Sequence, residues 1–277
     1  MSRGVTDSDP CGPPHGEVWA EGGPDLSLGQ YWAPFAGVND DWFSAVNQFA
    51  TVPFAARPFP IHFNERGVAA EGEFDLGGGR GLNYVVSLGN GVSGMSLDDQ
   101  HAFDLNDNET VMGRVGFFPA GPSLEIGLSG MSGDFRDGPR PDVAETDPRR
   151  YPESFTAVAG DARFSRPSVE VRTYAIRSTE DLDGAPDVDR WGVMAEGSVR
   201  VARALPVLRE AWIKARWDLS RLESLAGPAE KDDAFSVGLN LKPARRGVLK
   251  IEGFFHAEKD GRQLRDNGLV VQMSASF

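Results

Sequence analysis

The chain has 277 residues, of which 40% are hydrophobic, and a formal net charge of −13 at pH 7. This acidity argues against a nucleic-acid partner, because phosphate binding needs concentrated Lys and Arg. A single cysteine, Cys11, excludes a disulfide framework and a cysteine metal site. No window approaches 18 consecutive apolar residues, so no transmembrane helix is predicted. The 33 glycines and 19 prolines favour many short strands joined by turns.

The chain begins with a polar segment, residues 1–15, that contains no apolar core of the length a secretory signal needs. We expect this segment to be disordered. An exported protein would need such a signal. Either the protein stays inside the cell, or the recorded start lies downstream of the true one.

From residue 17 onward, apolar and polar residues alternate in short segments, which predicts β-strands with one apolar and one polar face. In the segment 68–76, for example, Val, Ala, Gly, Phe and Leu alternate with Ala, Glu, Glu and Asp. About thirteen strands are predicted, the first two being weaker than the rest. They cover 17–20, 25–33, 68–76, 82–88, 111–117, 124–128, 158–164, 169–175, 191–201, 211–219, 235–241, 249–255 and 269–277.

The connections alternate between short and long. The short ones are 77–81, 119–122, 165–167, 202–206 and 243–247, and the long ones are 34–66, 90–108, 132–154, 177–190, 221–233 and 258–267. Short turns on one rim and long loops on the other are typical of an outer-membrane barrel. A soluble all-β protein, the alternative, would mix connection lengths. We therefore predict an all-β fold, an antiparallel transmembrane β-barrel with short periplasmic turns and long external loops, in a single domain over 16–277.

The final strand ends the chain on an aromatic residue, Phe277, and the apolar residues of 269–277 lie on one face, with Val270 as the exception. It resembles the terminal strand of bacterial outer-membrane barrels. The resemblance implies a location in the bacterial outer membrane and contact with its lipid. It also implies that the barrel-assembly machinery is a partner, with Phe277 as the assembly signal.

Motifs in the first half resemble the phosphate-selective porin O/P-type family. They are the Gly-Gln-aromatic run that ends in Pro-Phe within 26–35, the segment 54–58, the strand start at Arg66-Gly67-Val68, and the strand end that runs from Tyr84 to Gly91. The resemblance implies a sixteen-stranded barrel and, by analogy with porins, a possible homotrimer. On this expectation the sequence is a fragment that lacks three strands and a signal peptide.

The longest connection, 34–66, is rich in Phe, Trp and Pro, and its aromatic side chains need a surface to pack on. In general porins the corresponding connection folds into the lumen, so this one is the candidate constriction loop. Its candidate pore charges are Asp40, Asp41, Arg57, Glu65 and Arg66. Because the two signs are mixed, phosphate selectivity does not follow. Arg57 is the preferred constriction residue, although it could instead pair with a wall carboxylate such as Glu71 or Glu73.

Strand parity predicts which charges face the lumen. The candidate lumen-wall residues are Glu71, Glu73, Arg114, Glu125, Arg163, Arg172, Arg200, Lys214 and Arg216. No catalytic group, metal site or cofactor is predicted, because the four histidines are scattered and the glycine run at 77–81 is not followed by a helix. A barrel-embedded hydrolase is therefore disfavoured.

The predicted function is a porin, a passive water-filled channel for small hydrophilic solutes or ions. The alternative is a barrel scaffold or adhesin that acts through external loops. Its contact surface would be the acidic segment 177–190.

Overall fold

The computed structural model describes residues 16–18, 24–32, 34–37, 49–56, 64–89, 109–134, 152–182, 185–205, 208–222, 230–244, 247–258 and 267–275. Within these ranges, thirteen strands form one sheet in which each pairs with its sequence neighbours. All the neighbouring pairs are antiparallel. No helix among the described residues is both long and apolar enough to cross a membrane. The predicted disordered segment, 1–15, lies outside the described residues.

All thirteen predicted strands are present in the predicted order, because alternation and turn residues are local properties of the sequence. Several of them extend as far as seven residues beyond their predicted bounds. The strands are β1 Gly16–Val18, β2 Asp25–Trp32, β3 Asn64–Gly77, β4 Arg80–Gly89, β5 Thr110–Phe118, β6 Leu124–Asp134, β7 Pro152–Arg166, β8 Val169–Leu182, β9 Ala185–Leu205, β10 Leu208–Leu222, β11 Glu230–Ala244, β12 Gly247–Glu258 and β13 Gly268–Ala275. A short 3-10 helix, Phe54–Ala56, lies between β2 and β3.

The two faces of the sheet are inverted relative to a soluble protein. Apolar side chains point outward and are exposed, for example Leu128 at 68% and Met273 at 77%. Charged side chains point inward and are covered, for example Lys214 at 1% and Glu252 at 0%. An apolar exterior around a polar interior suits a barrel whose outer surface meets lipid.

Aromatic side chains mark both ends of the outward face. Near the long-connection end, Trp217 lies opposite Phe235, which lies opposite Phe255 on the next strand. Near a short turn, the rings of Phe74 and Tyr84 stack with centroids 5.6 Å apart. Two aromatic bands that flank an apolar belt are typical of the two membrane–water interfaces of such barrels.

The predicted alternation of connection lengths fails between β8 and β9. The segment 177–190 was expected to be a long loop, but β8 continues to Leu182 and β9 begins at Ala185. Cross-strand partners extend the hairpin, since Arg177 pairs with Asp189 at 2.9 Å and Arg190 with Glu180 at 2.9 Å. The acidic segment proposed as an adhesive loop is therefore a β-ribbon in which two of its carboxylates are already paired.

The connection between β10 and β11 is also shorter than expected. The ladder pairs Leu222 with Glu230, so the connection is 223–229 rather than 221–233. In both hairpins the alternation of residue types weakens toward the tip, although backbone pairing continues there.

Candidate functional site in the barrel lumen

The predicted constriction charges divide into two groups. Asp40, Asp41 and Arg57 lie outside the described residues. Glu65 and Arg66 do not belong to the connection, because β3 already begins at Asn64. The ladder between β2 and β3 pairs Tyr31 with Glu65. The prediction that the connection runs to residue 66 is therefore wrong by three residues, because backbone pairing with β2 extends the strand.

The described parts of the connection contact the inward face at two separate places along the order of the strands. At one place, the amide of Ala36 donates to Ser129 Oγ of β6 at 3.0 Å. At the other, residues 49–56, here called the clamp segment, contact β10 and β12. These contacts place parts of the connection on strands that are far apart in the sheet. Whether the connection narrows a channel stays a prediction.

Glu252 on β12 binds the backbone of the clamp segment. Its Oε2 accepts hydrogen bonds from the amides of Ala50 at 2.7 Å and Thr51 at 3.0 Å. Its Oε1 accepts a further bond from the hydroxyl of Thr51. Bonds to a carboxylate are roughly twice as strong as bonds between neutral groups. A single wall carboxylate thus fixes two consecutive residues of the segment.

Arg216 on β10 holds the same residues from the neighbouring wall. Its Nη1 donates to the carbonyl of Thr51 at 2.9 Å, and its Nη2 donates to the Thr51 hydroxyl at 2.8 Å. The guanidinium is itself held by Asp218, at 2.9 Å, and by Glu252, at 3.6 Å. All three charged side chains are 0% exposed. Because both carboxylates pair with the guanidinium, neither is buried without a cation beside it.

Two lysines of the wall also contact the clamp segment. Lys250 Nζ donates to the carbonyl of Phe49 at 3.4 Å. The ring of Phe49 lies 4.4 Å from Lys214 Nζ and 4.4 Å from Arg216 Cζ. A cation over an aromatic ring gains about 0.5–2 kcal/mol, and more when the cation is desolvated. Phe49 therefore covers the ammonium of Lys214 while the segment's backbone bonds to Glu252 and Arg216.

Strand parity alone predicts an inward face that is polar throughout, but part of this face is apolar. A cluster of apolar side chains faces inward on β5 to β9 and includes Met112, Met131 and Ile176. It belongs to the same buried cluster as Phe35, Ala36, Ala55 and Ala56 of the connection. These residues are the surface on which the apolar residues of the connection pack.

A second group of charges lies nearer the short-turn rim. Arg114 on β5 binds Asp161 through two nitrogens, at 2.7 and 3.3 Å, and Glu125 at 2.8 Å. Asn83 Nδ2 also donates to Glu125, at 3.4 Å. Because the three charged side chains are 8–17% exposed, their pairing is only weakly screened by water.

Glycine makes room for this triad. A Cβ on Gly127 would collide with the Asp161 carboxylate and the Arg114 guanidinium. A Cβ on Gly116 would collide with the side chains of Asn83 and Glu125. The glycines therefore allow the long charged side chains to lie flat along the wall.

We expect Gly127→Ala to destabilise the folded barrel, at the lower end of the about 1–3 kcal/mol that overpacking costs, because the ends of the Asp161 and Arg114 side chains can shift but must then loosen their ion pair. The matched control is Gly160→Ala on the outward face, where a Cβ would meet no atom within 4 Å. Urea unfolding of both variants in lipid vesicles, followed by tryptophan fluorescence, measures the difference. Equal stability of the two variants would contradict the steric role of Gly127.

The remaining candidate wall residues differ in exposure. Arg172 pairs with Glu196, and Arg200 pairs with Glu210 at 3.6 Å, both largely buried. Arg163 pairs with Glu170 at 3.0 Å but is 46% exposed. Glu71 and Glu73 on β3 are exposed. Thus Lys214 and Arg216 lie beneath the clamp segment, whereas Glu71, Glu73 and Arg163 remain open to water.

Sequence reasoning missed Phe49 and Thr51 as the residues through which the connection is held. The usable signal was the aromatic content of the connection, which predicted packing but not the partner. His256 Nε2 on β12 lies 3.8 Å from Asp232 Oδ1 on β11. Within the described residues, no group of three or more His, Cys, Asp or Glu could hold a metal ion.

The fold of this chain is similar to solved structures of outer-membrane proteins. No protein-family model matches the chain, and no curated protein matches it in sequence. The in-vitro folded OmpT, an outer membrane protein of Vibrio cholerae, superposes with a TM-score of 0.61 at 12% identity, over 91% of this chain and 76% of that one. Its trimer form gives a TM-score of 0.60 at 12% identity, over 91% and 75%. An anion-selective porin from Comamonas acidovorans gives 0.54 at 13% identity, over 91% and 70%.

These likenesses, together with the apolar outward face, confirm the predicted fold. The chain is an antiparallel outer-membrane β-barrel of porin-like architecture, and its bacterial outer-membrane location, with lipid around the outward face, agrees with the prediction. The likenesses do not distinguish the phosphate-selective porin O/P-type family from other porins, so that resemblance stays a prediction.

Proposed function

We propose that the protein is a porin, a passive channel through which small hydrophilic solutes or ions cross the outer membrane. The observation that carries the proposal is the clamp segment, whose backbone is bonded to Glu252 and Arg216 on the inward wall. Water-facing charges such as Glu71 and Arg163 supply a polar lining elsewhere on the inward face. The porin among the structural neighbours supports the same class of function.

In this proposal the connection between β2 and β3 narrows the lumen, and the bonds from Glu252 and Arg216 to the clamp segment fix the position of the connection. The width of the solute path then depends on the position of this connection, which charged side chains of the wall fix through hydrogen bonds. Hydrogen bonds and ion pairs that are shielded from water hold such a position firmly, because water competes poorly for them.

The proposal assigns the protein no catalytic chemistry and no cofactor. It also assigns no preference for phosphate. A homotrimer is the assembly we expect, by the resemblance to porins and because one of the neighbours is described in a trimer form.

Planar lipid bilayers test the proposal directly. Purified full-length protein should insert with discrete steps in current at constant voltage, and those steps should scale with salt concentration as expected for a water-filled pore. Liposome swelling in sugars of increasing size would give the size limit of the path. Insertion of folded barrel without any current step would overturn the proposal.

A further inference from the structure

Lys214 differs in its hydrogen bonding from Arg216 and Lys250, the other two cations that contact the clamp segment. Its side chain is 1% exposed, and its ammonium has no hydrogen-bond partner among the described residues. The centroid of the Phe49 ring lies 4.4 Å from the ammonium nitrogen. An ammonium that is removed from water in this way is expensive unless a polar or charged partner compensates it.

The charges around Lys214 do not balance. Arg216 and Lys250 face the two carboxylates Asp218 and Glu252, and Arg216 bonds to the first and pairs with the second. Lys250 and Arg216 also donate to carbonyls of the clamp segment. Glu196 of β9, opposite Arg216, also acts on Lys214, but it pairs with Arg172. With four cations and three carboxylates in the group, the excess positive charge falls on Lys214, which lacks a hydrogen bond.

One further polar group near Lys214 also lacks a partner. Ser198 lies directly opposite Lys214 on β9. Its hydroxyl oxygen is buried and has no hydrogen-bond partner among the described residues. Opposite Lys214 on the other side is Gly238, where an added Cβ would lie only 3.0 Å from the lysine Cε.

We propose that Lys214 and Ser198 form a binding site for a small inorganic anion such as chloride, and that the Phe49 ring competes with the anion for the Lys214 ammonium. An ammonium and a hydroxyl are hydrogen-bond donors that suit a small anion. The ring face offers the ammonium only the weak attraction of its quadrupole, so a full negative charge replaces it favourably whenever the ring moves aside. This inference rests on the proposed channel function, since the anion is supplied from the lumen.

The test measures the zero-current potential of single channels under a KCl gradient, with chloride as the probe. We compare the wild type with Phe49→Ala, Lys214→Met and the double variant. Phe49→Ala uncovers the ammonium and should raise the chloride-to-potassium permeability ratio at least about twofold, because a fixed charge acts strongly in a narrow water column. The double variant should show no such rise.

Lys242→Met is the matched control for charge. It removes one lysine from the same inward wall, but Lys242 is 46% exposed and pairs with Glu210 at 3.4 Å. In the Phe49→Ala background, Lys242→Met should leave the raised ratio in place. If Phe49→Ala does not fold, Phe49→Leu keeps an apolar side chain of similar volume and removes the aromatic face, so the ratio should still rise.

Three results would overturn the inference. The first is a raised conductance in Phe49→Ala without a change in the permeability ratio. The second is an equal rise in Phe49→Ala and in the double variant, because the effect would then not pass through Lys214. The third is a folded wild-type protein that conducts nothing, which overturns the proposed function as well. Failure of this inference alone is recognised by normal wild-type current steps.

Discussion

Arg216→Met is expected to detach the clamp segment from the wall and to destabilise the barrel. The guanidinium donates to Thr51 and bonds to the fully buried Asp218. Methionine fills much of the same space but leaves that carboxylate without its cation. Breaking a buried ion pair by removing one partner costs about 3–5 kcal/mol. Single-channel conductance should rise, since the segment loses the bonds that Arg216 donates to Thr51.

The measurement combines bilayer recording with urea unfolding in lipid vesicles. Arg163→Met is the control, because Arg163 also faces inward and pairs with Glu170 at 3.0 Å but is 46% exposed. An exposed pair of this kind contributes at most about 1 kcal/mol. If Arg216→Met and Arg163→Met change conductance and stability equally, Arg216 does not hold the clamp segment in place.

The second large effect is expected from Arg114→Met. This change leaves Asp161 and Glu125 next to each other without the cation that bonds to both. We expect a loss of about 3–5 kcal/mol in the free energy of unfolding, because the remaining like charges repel each other in a largely buried site. Adding Asp161→Asn and Glu125→Gln to Arg114→Met should recover part of the loss, since no buried charge is then unpaired.

Arg177→Met is the control for the triad. It removes an arginine that pairs with Asp189 at 2.9 Å, but the Arg177 side chain is 67% exposed. The pair should therefore contribute little, and the variant should unfold within about 1 kcal/mol of the wild type. A similar loss in Arg114→Met and Arg177→Met would show that the buried triad is not a stabilising element.

Much of the fold was readable from the sequence because strand patterns are local. A period of two places Val68 and Phe74 on one face and Glu71 and Glu73 on the other, whatever the rest of the chain does. Gly77 at the end of β3 and the two glycines that follow it adopt positive φ, from 65° to 76°, as a tight turn requires. These features predicted the order of the strands, the direction of their faces and the barrel.

Strand parity predicted that Lys214 and Arg216 lie on the inward face, but it could not say what covers them. Glu252 lies 202 residues from Ala50, and Arg216 lies 165 residues from Thr51. Such partners meet only when the sheet has curved and the connection has folded inside it. No local period carries that information.

The sequence by itself determined which side chains point inward, because backbone geometry fixes alternation residue by residue. The tertiary structure alone decided which of those inward charges face water and which are held beneath the connection between β2 and β3. Glu71 and Lys214 have equivalent parity, yet one is exposed and the other is buried. The physical reason is that exposure depends on what lies across the lumen, and that is set by contacts between residues far apart in the chain.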